Sequence, residues 1–228
     1  LFERKDYLIT MISRMIEAIA SRVAKLRKEN KHEEALEALG ELYGKFYLPP
    51  AKVLGSVQEE DAFRMLRTGP ALNNEKLVAA ARLLREEGEI YEDMGQEREA
   101  YQRRANALYL YYHAAEQGAD TKDIPVHEEI TALQNRLKAY RLSPATHFKQ
   151  MEYFAARGRF DEAENILYEL GREISDDRQL PEWGLHFYER LLHLSDRELE
   201  DGGLPRSEVE LGLQEWKSAW PRLEQSVT

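Results

Sequence analysis

The sequence predicts an all-α protein of about ten helices, built from helix-turn-helix repeats in an irregular α-solenoid that forms one domain over residues 1–228. Three observations predict it. Leu, Ala and Glu together number 86, and Val, Ile and Thr together 22, so helix formers dominate strand formers. Apolar residues recur at i, i+3, i+4 between Gly, Pro and Asn stops. Three segments share one pattern around a corner residue, at Asn30, Gly95 and Gly158.

The elements follow in order. Tyr7, Leu8, Met11, Ile12, Met15, Ile16, Ile19, Val23 and Leu26 form one stripe and predict a helix over 6–29. Asn30 suits a helix end. Residues 32–47 carry a second stripe, from Ala35 to Phe46, stopped by Leu48-Pro49-Pro50. A shorter helix over 58–67, with Ser56 as its cap, ends at Thr68-Gly69-Pro70. Asn73 and Asn74 start a helix to about Met94, and residues 97–117 form a tyrosine-rich one. Residues 118–125 are a loop and 126–142 a helix. Ser143-Pro144 caps the next helix, which runs to Arg157. Helices over 160–174, 181–199 and 205–223 complete the chain.

Self-similarity organises these helices into pairs. Leu26, Tyr91 and Phe154 each stand four residues before the corner, and Ala35, Ala100 and Ala163 five after it. A corner residue that accepts positive φ lets two antiparallel helices join tightly. Just past it the helices cross closely, and only a small side chain fits.

This pattern resembles the tetratricopeptide repeat, a helix-turn-helix unit of about 34 residues. The segment with Gly88, Tyr91, Gly95, Ala100 and Ala107 matches the family spacing most fully. Phe160-Asp161-Glu162-Ala163 and His32-Glu33-Glu34-Ala35 are similar to the family's second-helix opening. The array is degenerate: the alanines lie 65 and 63 residues apart, about two repeat lengths, and the family's first-helix tryptophan is missing. The segments 6–12, 26–36 and 61–114 also resemble an uncharacterised bacterial family of helical proteins, which has no assigned activity to carry over.

The tetratricopeptide resemblance implies a non-catalytic scaffold or adaptor that binds a protein or peptide in a concave groove lined by the first helix of each pair. In the best-matched unit that helix presents Arg82, Arg85, Glu89 and Glu92 on one face, which makes these four the expected peptide-binding residues. A ligand- or peptide-responsive regulator is the alternative, and an enzyme with a site scattered through the chain a further one.

Composition and motifs narrow the chemistry. A hydrophobic content of 43% supports a sizeable core, and no apolar run reaches the length of a membrane helix. The absence of cysteine excludes disulfides, thiolate metal sites and a cysteine nucleophile. No phosphate loop, dinucleotide fingerprint, nucleophile elbow or His-Glu-x-x-His occurs, so no metal, cofactor or catalytic residue is expected. Glu182, His186, Glu189 and His193 fall on one helical stripe, which reads as i,i+4 charge pairs on a partly exposed helix in preference to a metal or proton site.

Residues 57–228 hold a net charge of −12 of the chain's −10, which argues against nucleic acid as partner. The basic run Arg14, Arg22, Lys25, Arg27 and Lys28 reads as a solvated helix face whose end complements the helix dipole. Trp216 and Trp220 share a face, either sealing the end of the array or, if exposed, joining two copies in a homodimer. Nothing suggests export, so the cytoplasm is the expected compartment.

Overall fold

The computed structural model describes residues 2–67, 74–120, 125–175, 177 and 179–220, with side chains from residue 14 onward except 16. Twelve α-helices and no strand occur among these residues. They are α1 (Phe2–Lys28), α2 (His32–Lys45), α3 (Ala51–Leu54), α4 (Glu59–Arg67), α5 (Asn74–Asp93), α6 (Glu97–Glu116), α7 (Val126–Leu137), α8 (Pro144–Ala156), α9 (Phe160–Glu173), α10 (Leu180–Leu192), α11 (Asp196–Asp201) and α12 (Arg206–Ala219). The chain divides into two compact units, Leu1–Leu142 and Ser143–Thr228.

The three corners are alike in detail. Asn30, Gly95 and Gly158 have φ of 57°, 71° and 69°. The amide after each corner donates to the carbonyl of Leu26, Tyr91 or Phe154, at 2.9, 2.8 and 3.0 Å. That long bond closes the helix end and satisfies a carbonyl left open by the last turn. The residues aligned from sequence are thus the acceptors of one recurring turn. Ala35, Ala100 and Ala163 are buried just beyond it.

In the first unit, α5 and α6 form the centre. Leu77, Leu83, Leu84 and Ile90 of α5 and Leu108, Leu110 and Tyr111 of α6 are fully buried, so Tyr111 is core, as are the buried Tyr109 and Tyr112, whereas Tyr101 is only partly buried. A Cβ on Gly88 would stand 2.9 Å from Arg104 Cγ and 3.3 Å from the Ala100 carbonyl. Gly88 and Ala100 therefore mark a close approach of the two helices.

Helix α3 departs from the sequence expectation, which placed no helix between Pro50 and Gln58. Leu54 is fully buried, and Gly55 ends the helix where the Arg103 side chain crosses. Ser56 does not cap α4; its hydroxyl donates to the Val53 carbonyl at 3.2 Å. Helix α7 ends at Leu137 instead of running to 142. The stops expected at Thr68-Gly69-Pro70 and Leu223, and the start at Asn73, lie outside the described residues.

In the second unit, Ser143 caps α8 by accepting from the Thr146 amide at 3.2 Å, with Pro144 in the first turn. The helix expected over 181–199 is two helices. Ser195 interrupts it because its hydroxyl caps the Glu198 amide while the Glu198 carboxylate takes the Ser195 amide at 2.8 Å, a reciprocal capping box. Trp216 is buried against α10, with its indole N–H donating to the Pro181 carbonyl at 3.0 Å. It packs 6.0 Å from Trp220 between ring centres. Trp216 is thus taken up inside its own unit.

Candidate functional site

The four residues expected to bind a peptide lie on α5, and Arg85, Glu89 and Glu92 pair with residues of α1 or α7. Arg82, Arg85 and Glu89 are half-buried and Glu92 is exposed. Arg85, Glu89 and Glu92 sit in a charge network that sequence spacing alone did not reveal.

Glu89 is its hub. Arg104 of α6 donates to Glu89 at 2.9 Å and to Glu92 at 2.6 Å. Arg136 of α7 reaches Glu89 at 3.2 Å and Glu92 at 3.5 Å. Arg27, from the last turn of α1, pairs with Asp93 at 2.5 Å and donates to the Glu89 main-chain carbonyl at 3.4 Å. Arg85 pairs with Glu86 at 2.5 Å and with Glu129 of α7.

Each charge is shaped by its partner. The Arg104 hydrogen bond lowers the pKa of Glu92, and the Arg27 hydrogen bond lowers that of Asp93. The Asp93 bond in turn raises Arg27. Burial pulls Arg85 down, but Glu129 and Glu86 outweigh it and raise it overall. Beneath, burial pushes the Tyr111 hydroxyl far up, beside the charges of Glu129 and Arg85.

Between these helices runs an open groove of about 500 Å³, lined by Arg27, Arg85, Glu89, Ala132, Leu133 and Arg136 among others. It holds Arg85 and Glu89 of the expected set; Arg82 and Glu92 are not in its lining. Arg82 is no free surface charge, because its Nε is buried without a hydrogen-bond partner. The remaining basic residues of the α1 run, Arg14, Arg22, Lys25 and Lys28, are exposed.

Sequence reasoning missed Arg27, Arg104, Glu129 and Arg136. One local signal existed for Arg104. Arg103 and Arg104 stand about one turn after the buried Ala100, in the part of α6 whose neighbours are apolar and buried, so facing acids were required. Arg103 indeed pairs with the buried Glu87 at 2.7 Å, donates to the Gly55 carbonyl and lies over the Tyr91 ring at 5.0 Å. This pair walls a second cleft of about 460 Å³, bordered by Glu33, Glu37 and Lys52.

Glu182, His186 and Glu189 on α10 and His193 just past its end are all exposed. Among the described residues no group of three or more His, Asp or Glu could hold a metal ion. None of the described helices is long and apolar enough to cross a membrane.

Paired helices meeting at like corners, with a charged groove in the first unit, define an all-helical protein. The chain belongs to DUF6483, a family of unknown function whose family model matches residues 2–220. No curated protein and no solved structure matches it.

Proposed function

We propose that this protein is a non-catalytic adaptor that binds a protein or peptide partner in the groove between α1, α5 and α7. The observation that carries the reading is the composition of that groove. Three arginines and two glutamates, Arg27, Arg85, Arg136, Glu86 and Glu89, surround the apolar pair Ala132 and Leu133. Charges of both signs around an apolar strip select a partner by complementarity and register.

The internal ion pairs also support it. They fix the arginine heads before a partner arrives, so little side-chain freedom is lost on binding. Arg136 remains about half exposed while paired with Glu89 and Glu92, which leaves it accessible to a carboxylate of the partner. The like corners at Asn30, Gly95 and Gly158 support reading the helix pairs as degenerate tetratricopeptide-like repeats, with α1 and α5 as groove-lining first helices.

The test is a selection of random dodecapeptides on the intact protein, repeated with Ala132→Trp. Ala132 is exposed and lines the groove, so the indole fills the groove without entering the core. The reading predicts peptides of mixed charge that bind the wild type and lose at least tenfold in affinity on Ala132→Trp. Peptides indifferent to that change place recognition elsewhere, and no enrichment contradicts peptide binding.

A further inference from the structure

The second unit contains a cleft that the proposed groove does not use. It measures about 600 Å³ and lies between the α8–α9 corner, α10 and α11. Phe160, Phe187 and Leu191 are buried in its floor. The floor is locked in place: the Phe160 and Asp161 amides donate to the Gly202 carbonyl at 2.9 and 3.3 Å. A Cβ on Gly202 would meet the Phe160 ring at 2.2 Å. The cleft is therefore built into the packing of α11 against the corner.

Its charges are distributed unexpectedly. The second unit holds 18 acidic and 10 basic residues, so carboxylates are abundant. Arg159, Arg197 and Arg206 each pair with one, namely Glu162, Asp201 and Asp196. Arg157 and Arg190 line the cleft, are exposed, and pair with no carboxylate among the described residues. Arg157 rests over the Tyr153 ring at 5.6 Å. Two acids do border the same cleft, but both are engaged elsewhere. Glu198 takes the Ser195 amide and hydroxyl at 2.8 and 2.6 Å, and Asp201 faces Arg197 at 3.7 Å.

We infer that this cleft binds the C-terminal carboxylate of a peptide ending in large apolar residues. Arg157 and Arg190 supply planar donors suited to a carboxylate. Phe160, Phe187 and Leu191 supply the apolar floor for the terminal side chains. Glu198 and Asp201 keep free oxygen lone pairs that accept backbone N–H groups of the incoming peptide. The same two acids disfavour a second negative charge, so the ligand carries one. The inference is independent of the groove in the first unit.

The probe is the fluorescein-labelled pentapeptide Ala-Ala-Gly-Leu-Phe with a free C-terminus, titrated into the intact protein by anisotropy. Its C-terminal amide, octanoate and phenyl phosphate serve as comparisons. The inference predicts that the free acid binds at least tenfold tighter than the amide, and that raising salt weakens it. Arg157→Gln and Arg190→Gln should each weaken it at least fivefold, and Arg172→Gln, outside the cleft, should leave it unchanged. Ala156→Glu, an exposed lining position, should abolish binding and serves if an arginine variant misfolds. Equal affinity for acid and amide, or binding unmoved by these variants, overturns the inference. So does failure of the free acid to bind at millimolar concentration. Tighter binding of octanoate would assign the cleft to an acyl anion, and tighter binding of phenyl phosphate to a dianion; either overturns the peptide reading.

Discussion

The indole of Trp216 lies across Gly184 so closely that a Cβ on the glycine would stand 2.1 Å from Trp216 Cε2. The relation is returned one turn along the same helix pair, where a Cβ on Gly212 of α12 would stand 2.7 Å from the Tyr188 ring of α10. Each helix thus offers a glycine notch to the other's aromatic ring, and burial of two large rings holds α10 to α12.

Gly184→Ala must displace the indole or part the helices. Overpacking of this kind costs about 1–3 kcal/mol. Urea denaturation followed by tryptophan emission should show a lower midpoint, with native emission shifted to the red as Trp216 meets water. An unchanged midpoint and spectrum would show that the notch is not a tight fit.

At the corners the cost is one of backbone alone, because nothing lies within 4 Å of a Cβ at Gly95 or Gly158. Gly95→Ala and Gly158→Ala should each lose about 1–2 kcal/mol from the left-handed conformation. Ala100→Leu and Ala163→Leu should lose about 1–3 kcal/mol by overpacking. The exposed Glu97→Gln should stay within about 0.5 kcal/mol. Chemical denaturation checks all five; alanine-to-leucine variants as stable as the control would remove the close crossings.

On α5, Arg82 and Arg85 look from spacing alone like surface charges that can be reversed at no cost. The packing gives a different expectation. Arg85→Glu sets a third carboxylate beside Glu86 and Glu129, the present partners of Arg85, and should cost more than the roughly 0.5 kcal/mol of a surface change. Adding Glu129→Arg should recover part of the loss. If the single reversal is silent in thermal melts, the Arg85–Glu129 pair contributes nothing to stability.

Acid should weaken the first unit through Asp93 and Glu92. Hydrogen bonds from Arg27 and Arg104 hold both below the ordinary carboxylate range. A depressed folded pKa contributes stability that is complete above the unfolded value, near about 4, and is lost as pH falls through the folded value. Burial raises Glu87 and Glu164, with the opposite sign: their contribution declines as pH rises through the raised values. Arg27→Gln should therefore lose less stability than wild type between pH 6 and pH 3. Equal losses in urea titrations at the two pH values would show that the Arg27–Asp93 bond has no part in the acid response.

Much of the helical framework was legible because stripes of Leu, Ala and Ile repeat between Gly, Pro and Asn stops. Helix α3 was not, since four residues after Pro49-Pro50 are too few to show a period. The break at Ser195 was overlooked because the apolar pattern continues through Leu191, Leu194 and Leu199, although Ser195-x-x-Glu198 carries the capping signature. The groove was legible in one wall only. Spacing set Arg85 and Glu89 on one side of α5, but Arg27 is 66 residues before Asp93 and Arg136 is 47 after Glu89. Pairs so distant leave no local pattern, and only the packing of α1 and α7 beside α5 brings them together.

The most direct test of the groove is hydrogen exchange on the complex with a peptide selected against the intact protein. The account predicts slowed exchange confined to the last turn of α1, residues 82–93 of α5 and residues 126–137 of α7, and its loss with Ala132→Trp. Protection on α6 or in residues 143–220, with these three segments unchanged, would contradict it.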